Sequence, residues 1–134
     1  MADSTLYLPV TVPGALLCLG DGHGAQGDGE VSGTAIECGM TSEIELALVT
    51  DPPLQTIHAT VPGGRITFGF GQNLNDASAD AIDAMVTWVE KLFRVDRPAA
   101  LALASVAANL RVTQVANEVW GVHAILPDDA LRQR

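Results

Sequence analysis

Basic residues are scarce in this sequence, and the shortage argues against two classes of partner. Seven Lys and Arg stand against 16 Asp and Glu, which gives a formal net charge of -9 at pH 7. Nucleic acid backbones and anionic membrane surfaces are both bound by clustered Lys and Arg. We therefore expect neither nucleic acid nor a membrane among the partners of this chain.

Aromatic residues, cysteines and long apolar runs are also few. Phe, Trp and Tyr make up 4% of the residues, so the core is predicted to consist of Ala, Val, Leu and Ile. Two cysteines, Cys18 and Cys38, are too few for a disulfide scaffold and predict buried, reduced thiols and a cytoplasmic location. The apolar run 15–19 is too short to cross a bilayer. The N-terminus also lacks the pattern of a secretory signal.

What remains is an apolar, glycine-containing chain of 134 residues, which predicts one domain over residues 1–134. The residue pattern of its first two thirds is typical of β-structure. Alternation predicts a half-buried strand over 6–12, and the run 15–19 predicts a strand buried on both faces. Pro62-Gly63-Gly64 predicts a hairpin turn. The other predicted strands in this part cover 31–38, 43–50 (with Ile44, Leu46 and Leu48 on its buried face), 55–61 and 65–71.

After Asn75 the spacing of the apolar residues changes to a helical period. Apolar residues recur at i, i+3, i+4 and i+7 from Ile82 to Phe93, which predicts a helix capped by Asn75 or Asp76. Pro98 predicts the first turn of a second helix, capped by Asp96. Strands are expected again over 110–116 and 119–126. The predicted fold class is α+β, mainly antiparallel with sandwich-like sheets and two helices in the C-terminal half.

Ionisable side chains are concentrated in the glycine-rich stretch GDGHGAQGDGEVSGTAIEC, residues 20–38. A dinucleotide-binding loop is not indicated, because the residues after it are extended rather than helical. In an extended Asp21-Gly22-His23 the two polar side chains face the same way. They could bind a divalent metal, or the carboxylate could orient a catalytic imidazole. The alternative is a set of tight glycine turns without a site.

Glu30 and Glu37 are predicted to point to opposite faces of one strand. Ile36 and Cys38 flank Glu37, so we expect this carboxylate to be buried. Burial would raise its pKa and suit it to act as a general base. The structural alternative is an ion pair with Arg65 or Arg111. His58 and His123 are expected to be ordinary strand histidines.

Three stretches resemble the acetamidase/formamidase family. They are YLPVTVPGALLCLGDGHGAQGDGEVSGTAIEC, LASVAANLRVTQVAN and VWGVHAILP, and their order and separation also match the family. Two positions in the first stretch depart from its pattern: Gly24 stands where Ala is usual, and Ser32 where Cys is usual. Family members are longer, and the resemblance implies that this chain lacks their N-terminal half.

The resemblance implies hydrolysis of small linear amides to ammonia and a carboxylic acid. Matched to the motif, the residues carried over are Asp21, His23, Gln26, Asp28, Glu30 and Glu37. We predict Asp21 and His23 as metal ligands, Gln26 with Gly22 and Gly24 at the substrate, and catalytic carboxylates on Glu37, Glu30 and Asp28. A divalent metal of the zinc or calcium type is the implied cofactor. We expect a homo-oligomer or a complementary N-terminal-half chain to cover strand edges left without partners. A binding or assembly module without turnover is the alternative function.

Overall fold

The computed structural model describes residues 2–131 and contains two antiparallel sheets and two helices. This α+β arrangement confirms the predicted fold class. The larger sheet has five strands in the order β1-β4-β5-β7-β6, and the smaller sheet pairs β2 with β3. The elements are β1 Thr5–Tyr7, β2 His23–Ala25, β3 Ile36–Glu37, β4 His58–Val61, β5 Gly64–Gly71, α1 Leu74–Phe93, α2 Arg97–Ala107, β6 Asn109–Gln114 and β7 Trp120–Pro127.

The core lies between the five-stranded sheet and α1. On β5, Thr67 and Gly69 face the helix, and the Thr67 hydroxyl donates a hydrogen bond to the Ala81 carbonyl over 2.7 Å. A Cβ placed on Gly69 would lie 2.0 Å from the Ala77 carbonyl oxygen. Ala77 and Ala81 are fully buried. Small residues on both elements therefore allow the helix backbone to approach the strand closely.

The second half of the chain follows its sequence pattern closely. The hairpin joins β4 to β5 at Pro62-Gly63, and α2 begins after Asp96, whose carboxylate accepts a hydrogen bond from the Ala99 amide. The cap predicted for α1 is wrong by two residues. Asn73 caps this helix, and its side-chain oxygen accepts from the Asp76 amide over 3.0 Å.

The first third of the chain differs from the prediction. In place of the predicted strand 6–12 the structure has only the short strand β1, and in place of the predicted strand 31–38 it has only β3. The segments 15–19 and 43–50, also predicted as strands, form none. Leu16 and Leu48, both predicted to be buried, are 76% and 80% exposed. An apolar run indicates a need for burial, but it does not say that the same chain provides the covering surface. Within residues 2–131, no helix is long and apolar enough to span a membrane.

Candidate functional site

The hairpin of β2 and β3 brings His23 and Glu37 together. These two residues are directly opposite each other in the antiparallel register, where side chains on one face are close neighbours. The His23 Nε2 atom lies 3.0 Å from a Glu37 carboxylate oxygen and 3.4 Å from an Asp21 oxygen. The His23 side chain is 11% exposed, whereas both carboxylates are largely exposed. A mostly covered imidazole thus meets two carboxylates that solvent can reach.

Two glycines lie where the arms of this hairpin come close together. A Cβ on Gly22 would lie 2.6 Å from the Met40 sulfur, and one on Gly24 would lie 3.2 Å from the Cys38 sulfur. Asp21 itself adopts a left-handed backbone, with φ of 57°. The two glycines predicted to contact substrate therefore lie against side chains of the 36–40 arm, of which the flexible Met40 side chain could move aside for a Cβ at position 22.

Gln26 holds the other side of the imidazole ring. The Nδ1 atom of His23 donates a hydrogen bond to the Gln26 side-chain oxygen over 2.6 Å. This bond is the largest cause of a raised pKa at His23; partial burial opposes it, and the charges of Glu37, Asp21 and Glu30 add to it. Both ring nitrogens therefore have defined neighbours.

The donor set fits a divalent cation. One ligand atom from each of Asp21, His23 and Glu37 lies within 4.8 Å of the others. Imidazole nitrogen with carboxylate oxygens is a set that zinc accepts. No other group of three such side chains occurs in the part of the chain that the structure describes.

Asp28 and Glu30 lie outside this set. The Asp28 carboxylate forms an ion pair with Arg111 of β6 over 3.1 Å. The neighbouring Gly29 exchanges backbone hydrogen bonds with Thr113 and Val115 at 3.2 and 2.9 Å. Together these contacts fasten the glycine-rich segment to the edge of the large sheet. Glu30 is half-buried with a left-handed backbone and influences His23 only through its charge.

Three expectations about this region are wrong. Glu37 is not buried: its side chain is 71% exposed because β3 lies at the surface and covers only His23. It also pairs with His23 rather than with an arginine, since Arg65 pairs with Asp128 and Arg111 with Asp28. Cys18 and Cys38, expected to be buried, are both exposed free thiols.

The remaining histidines lie in the large sheet. His58 at the start of β4 is 1% exposed, stacks on Tyr7 with ring centroids 4.4 Å apart, and donates from Nδ1 to the Thr56 carbonyl. His123 in β7 hydrogen-bonds the Thr113 hydroxyl over 2.7 Å. Burial lowers the pKa of His123; Asp28 opposes this shift and Arg111 adds to it.

A shallow depression of about 480 Å³ lies on the glycine-rich hairpin. It contacts Gln26, the residue that binds His23, and its lining residues are Ala25, Gln26, Gly27, Thr34, Ala35 and Ile36. A larger cavity of about 710 Å³ lies between β5, α1 and the 54–57 segment, and its lining contains none of the predicted site residues. The smaller depression shares Gln26 with the predicted site.

The direct pairing of His23 with Glu37 was not predicted. The two residues are 14 positions apart, and the predicted strand 31–38 had no assigned partner. The available signal was the turn-rich centre with Gly27, Gly29 and Gly33, which separates two extended stretches as in a hairpin.

The fold and the site define an α+β chain with a histidine–carboxylate cluster on a glycine-rich hairpin. Residues 1–62, which contain the whole cluster, match the model of the Acetamidase/Formamidase family. No curated protein matches the sequence.

Two crystal structures of acetamidases resemble the chain. The acetamidase from Bacillus halodurans is 29% identical with a TM-score of 0.76, over 92% of this chain and 42% of that one. The acetamidase from Yersinia enterocolitica is 28% identical with a TM-score of 0.81, over 97% of this chain and 39% of that one. The resemblance to the acetamidase/formamidase family is thereby confirmed. The chain spans about two fifths of the length of both acetamidases.

Proposed function

We propose that this chain supplies an active site for the hydrolysis of small linear amides, of the formamide and acetamide type, to ammonia and a carboxylic acid. The observation that carries the proposal is the cluster of Asp21, His23 and Glu37 on the glycine-rich hairpin. The cluster lies within the segment that matches the family model. The relatives named acetamidase support the substrate class.

Asp21 and His23 would hold a divalent ion of the zinc or calcium type, with the Glu37 carboxylate close by and left free to move a proton. Such an ion polarises a carbonyl group and makes a water molecule more acidic. The rest of the chemistry falls to the side chains and backbone of this chain.

Hydrolysis requires a proton to move from the attacking water to the departing nitrogen. We assign this transfer to Glu37, because its carboxylate faces His23 and remains reachable from solvent. Glu37 would take the proton as water adds to the amide carbon, and would return it to nitrogen as the carbon–nitrogen bond breaks. Asp28 is held by Arg111 and is better suited to fixing the loop. Glu30 would contribute through its charge.

The substrate would lie in the depression next to Gln26. The oxygen of the Gln26 amide is engaged by His23, so its NH₂ group is left to donate to a substrate carbonyl. Backbone N–H groups at Gly22 and Gly24 would stabilise the oxyanion of the tetrahedral intermediate, at about 3 kcal/mol for each well-placed donor.

A second polypeptide is part of this proposal. Large apolar side chains are exposed throughout the first third of the chain, among them Leu19, Val31 and Leu46 at 67%, 80% and 72%. Both acetamidase structures are more than twice as long as the matched region. The exposed large apolar side chains run from Leu6 to Val49, and we call residues 6–49 the apolar segment. We infer that a complementary N-terminal-half chain, or a second copy of this one, covers the apolar segment and completes the site.

Ammonia release from formamide and acetamide tests the function. The zinc-supplemented chain would be assayed alone and after mixing with a supplied N-terminal half of an acetamidase. We expect turnover in the mixture, at a rate that depends on both components. A chain that binds the half or a metal but releases no ammonia with either amide would be an assembly module instead.

A further inference from the structure

His23 is held between two kinds of partner, one on each ring nitrogen. Its Nδ1 lies 2.6 Å from the Gln26 side-chain oxygen, and its Nε2 faces the carboxylates of Glu37 and Asp21. The ring itself is mostly covered, so it cannot turn freely to exchange these neighbours. The orientation of the imidazole is therefore set by contacts on both sides.

The neutral imidazole carries a proton on only one of its two nitrogens, and the bare nitrogen binds metals. A carbonyl oxygen can accept a hydrogen bond but cannot donate one. Because the Gln26 side-chain oxygen lies beside Nδ1, the proton of the neutral ring is on Nδ1 and the lone pair is on Nε2. That lone pair then points to the same space as the two carboxylates, where a cation would be bound.

The backbone explains how Gln26 reaches the ring. The register of β2 against β3 shifts between His23 and Ala25, and such a bulge redirects the side chains that follow it. Gln26 comes just after β2 and its side chain turns back over three residues to meet His23. In a regular strand, a residue three positions along would point to the opposite face.

We propose that Gln26 is a positioning residue that fixes His23 in the Nδ1–H tautomer and thereby makes Nε2 the metal-binding nitrogen. The inference rests on the metal site of the proposed function and extends it to the group behind the ligand. Partners of this kind are known to change metal affinity by about 10- to 100-fold when removed.

Three substitutions separate this role from a merely structural one. Gln26→Met keeps the length of the side chain but removes the acceptor, whereas Gln26→Glu keeps an acceptor oxygen. Gln72→Met is the matched control, because Gln72 is an exposed glutamine just before the cap of α1. Zinc affinity would be measured by competition with a chromogenic chelator, and the His23 ring nitrogens would be observed by long-range ¹H–¹⁵N NMR in the zinc-loaded protein.

We expect the unsubstituted protein to show a protonated Nδ1 and a zinc-bound Nε2. Gln26→Met should weaken zinc binding by about 10- to 100-fold, while Gln26→Glu and Gln72→Met should bind zinc at least as tightly as the parent. Undiminished zinc affinity in Gln26→Met, ligation through Nδ1, or equal losses in Gln26→Met and Gln26→Glu would each overturn the inference.

Absence of zinc binding by the parent would also overturn it. That result would leave amide hydrolysis to be decided separately by ammonia release, so failure of the positioning role and failure of the proposed function are distinguishable.

Discussion

At the scale of single residues, the surroundings of two histidines act in opposite directions. The imidazole of His23 donates a hydrogen bond to Gln26 and is near the charges of Glu37, Asp21 and Glu30. All four neighbours favour its protonated form. His123 is half-buried beside Phe68, with ring centroids 6.1 Å apart, and burial favours its neutral form. One histidine type thus acquires two different chemical characters in one small protein.

We predict that the ring NMR signals of the metal-free protein titrate on either side of the ordinary histidine pKa of about 6.5. The midpoint of His23 should lie above this value and that of His123 below it. Gln26→Met should lower the midpoint of His23 only. Coincident midpoints for the two rings would contradict this description of their surroundings.

The sign of each contribution to stability follows from linkage. The raised pKa of His23 stabilises the fold below about pH 6.5, and this contribution is lost as the pH rises through the folded-state pKa. The lowered pKa of His123 stabilises the fold above about pH 6.5. This contribution is lost as the pH falls, because the unfolded chain takes up the proton at a higher pH than the folded chain does. Stability should therefore fall as the pH drops below about 6.5, and His123→Gln should weaken this dependence in urea unfolding curves recorded at several pH values.

At the scale of elements, the contact between β5 and α1 leaves no room for a side chain at Gly69. An alanine at position 69 would place its Cβ against helix backbone, 2.0 Å from the Ala77 oxygen and 2.5 Å from the Ala81 nitrogen. Backbone cannot move aside as a flexible side chain can. The two elements would have to separate.

We expect Gly69→Ala to reduce the free energy of unfolding by about 3 kcal/mol or more, as overpacking of a core does. Gly20→Ala is the control, since a Cβ there has no atom within 4 Å, and its effect should stay within about 1 kcal/mol. Chemical denaturation of both variants measures the difference. Equal stabilities would mean that the helix does not pack closely on β5.

The start of α1 allows a second test with a matched pair. Asn73 caps the helix through its side-chain oxygen, whereas Asn75 is an exposed residue of the first turn. Asn73→Ala should reduce the free energy of unfolding by about 1 kcal/mol, and Asn75→Ala should change it little. Thermal unfolding followed by circular dichroism would show the reverse order if the cap predicted from the sequence were the true one.

The elements also show where sequence reasoning succeeds. The helices and the β4–β5 hairpin were predicted because their apolar faces are buried within this chain, so pattern and structure agree. Asn73 was missed because Asn75 and Asp76 are equally good capping residues by type. In residues 8–50 many apolar side chains are not covered by the rest of the described residues 2–131, and Leu16, Leu46 and Leu48 remain exposed.

The candidate site was predicted from the sequence only in part. Asp21 and His23 were grouped from local spacing, and the structure places their side chains 3.4 Å apart. The pairing of Glu37 with His23 depends on the register of two very short strands, which local sequence does not specify. The bulge that turns Gln26 back to the ring is equally invisible to a pattern of polar and apolar residues.

At the scale of the whole molecule, the chain has two unequal parts. Residues 58–127 form a packed sheet with helices, while the preceding segment exposes many of its large apolar side chains. A large number of exposed apolar side chains in one segment is typical of an interaction surface. The fastening of the glycine-rich hairpin to β6 through Asp28 and Gly29 links this surface to the packed part.

We predict an assembly larger than the 14.0 kDa monomer, formed by the chain with itself or with a supplied N-terminal half. Leu48→Glu should weaken it, because Leu48 is 80% exposed within the apolar segment. Val106→Glu is the control: Val106 is 79% exposed but lies on α2. Light scattering after size-exclusion chromatography measures the masses. A monomer under both conditions, or equal effects of the two substitutions, would contradict an interface on the apolar segment.

The most direct test of the central claim is ammonia release from acetamide by Glu37→Gln, measured in the zinc-supplemented assembly beside Glu43→Gln. Both substitutions remove one exposed carboxylate, but only Glu37 faces His23. We predict that Glu37→Gln loses turnover by about 10²- to 10⁴-fold while keeping its fold and its zinc content, and that Glu43→Gln retains the parent rate. Near-parental ammonia release by Glu37→Gln would contradict amide hydrolysis at this histidine–carboxylate cluster.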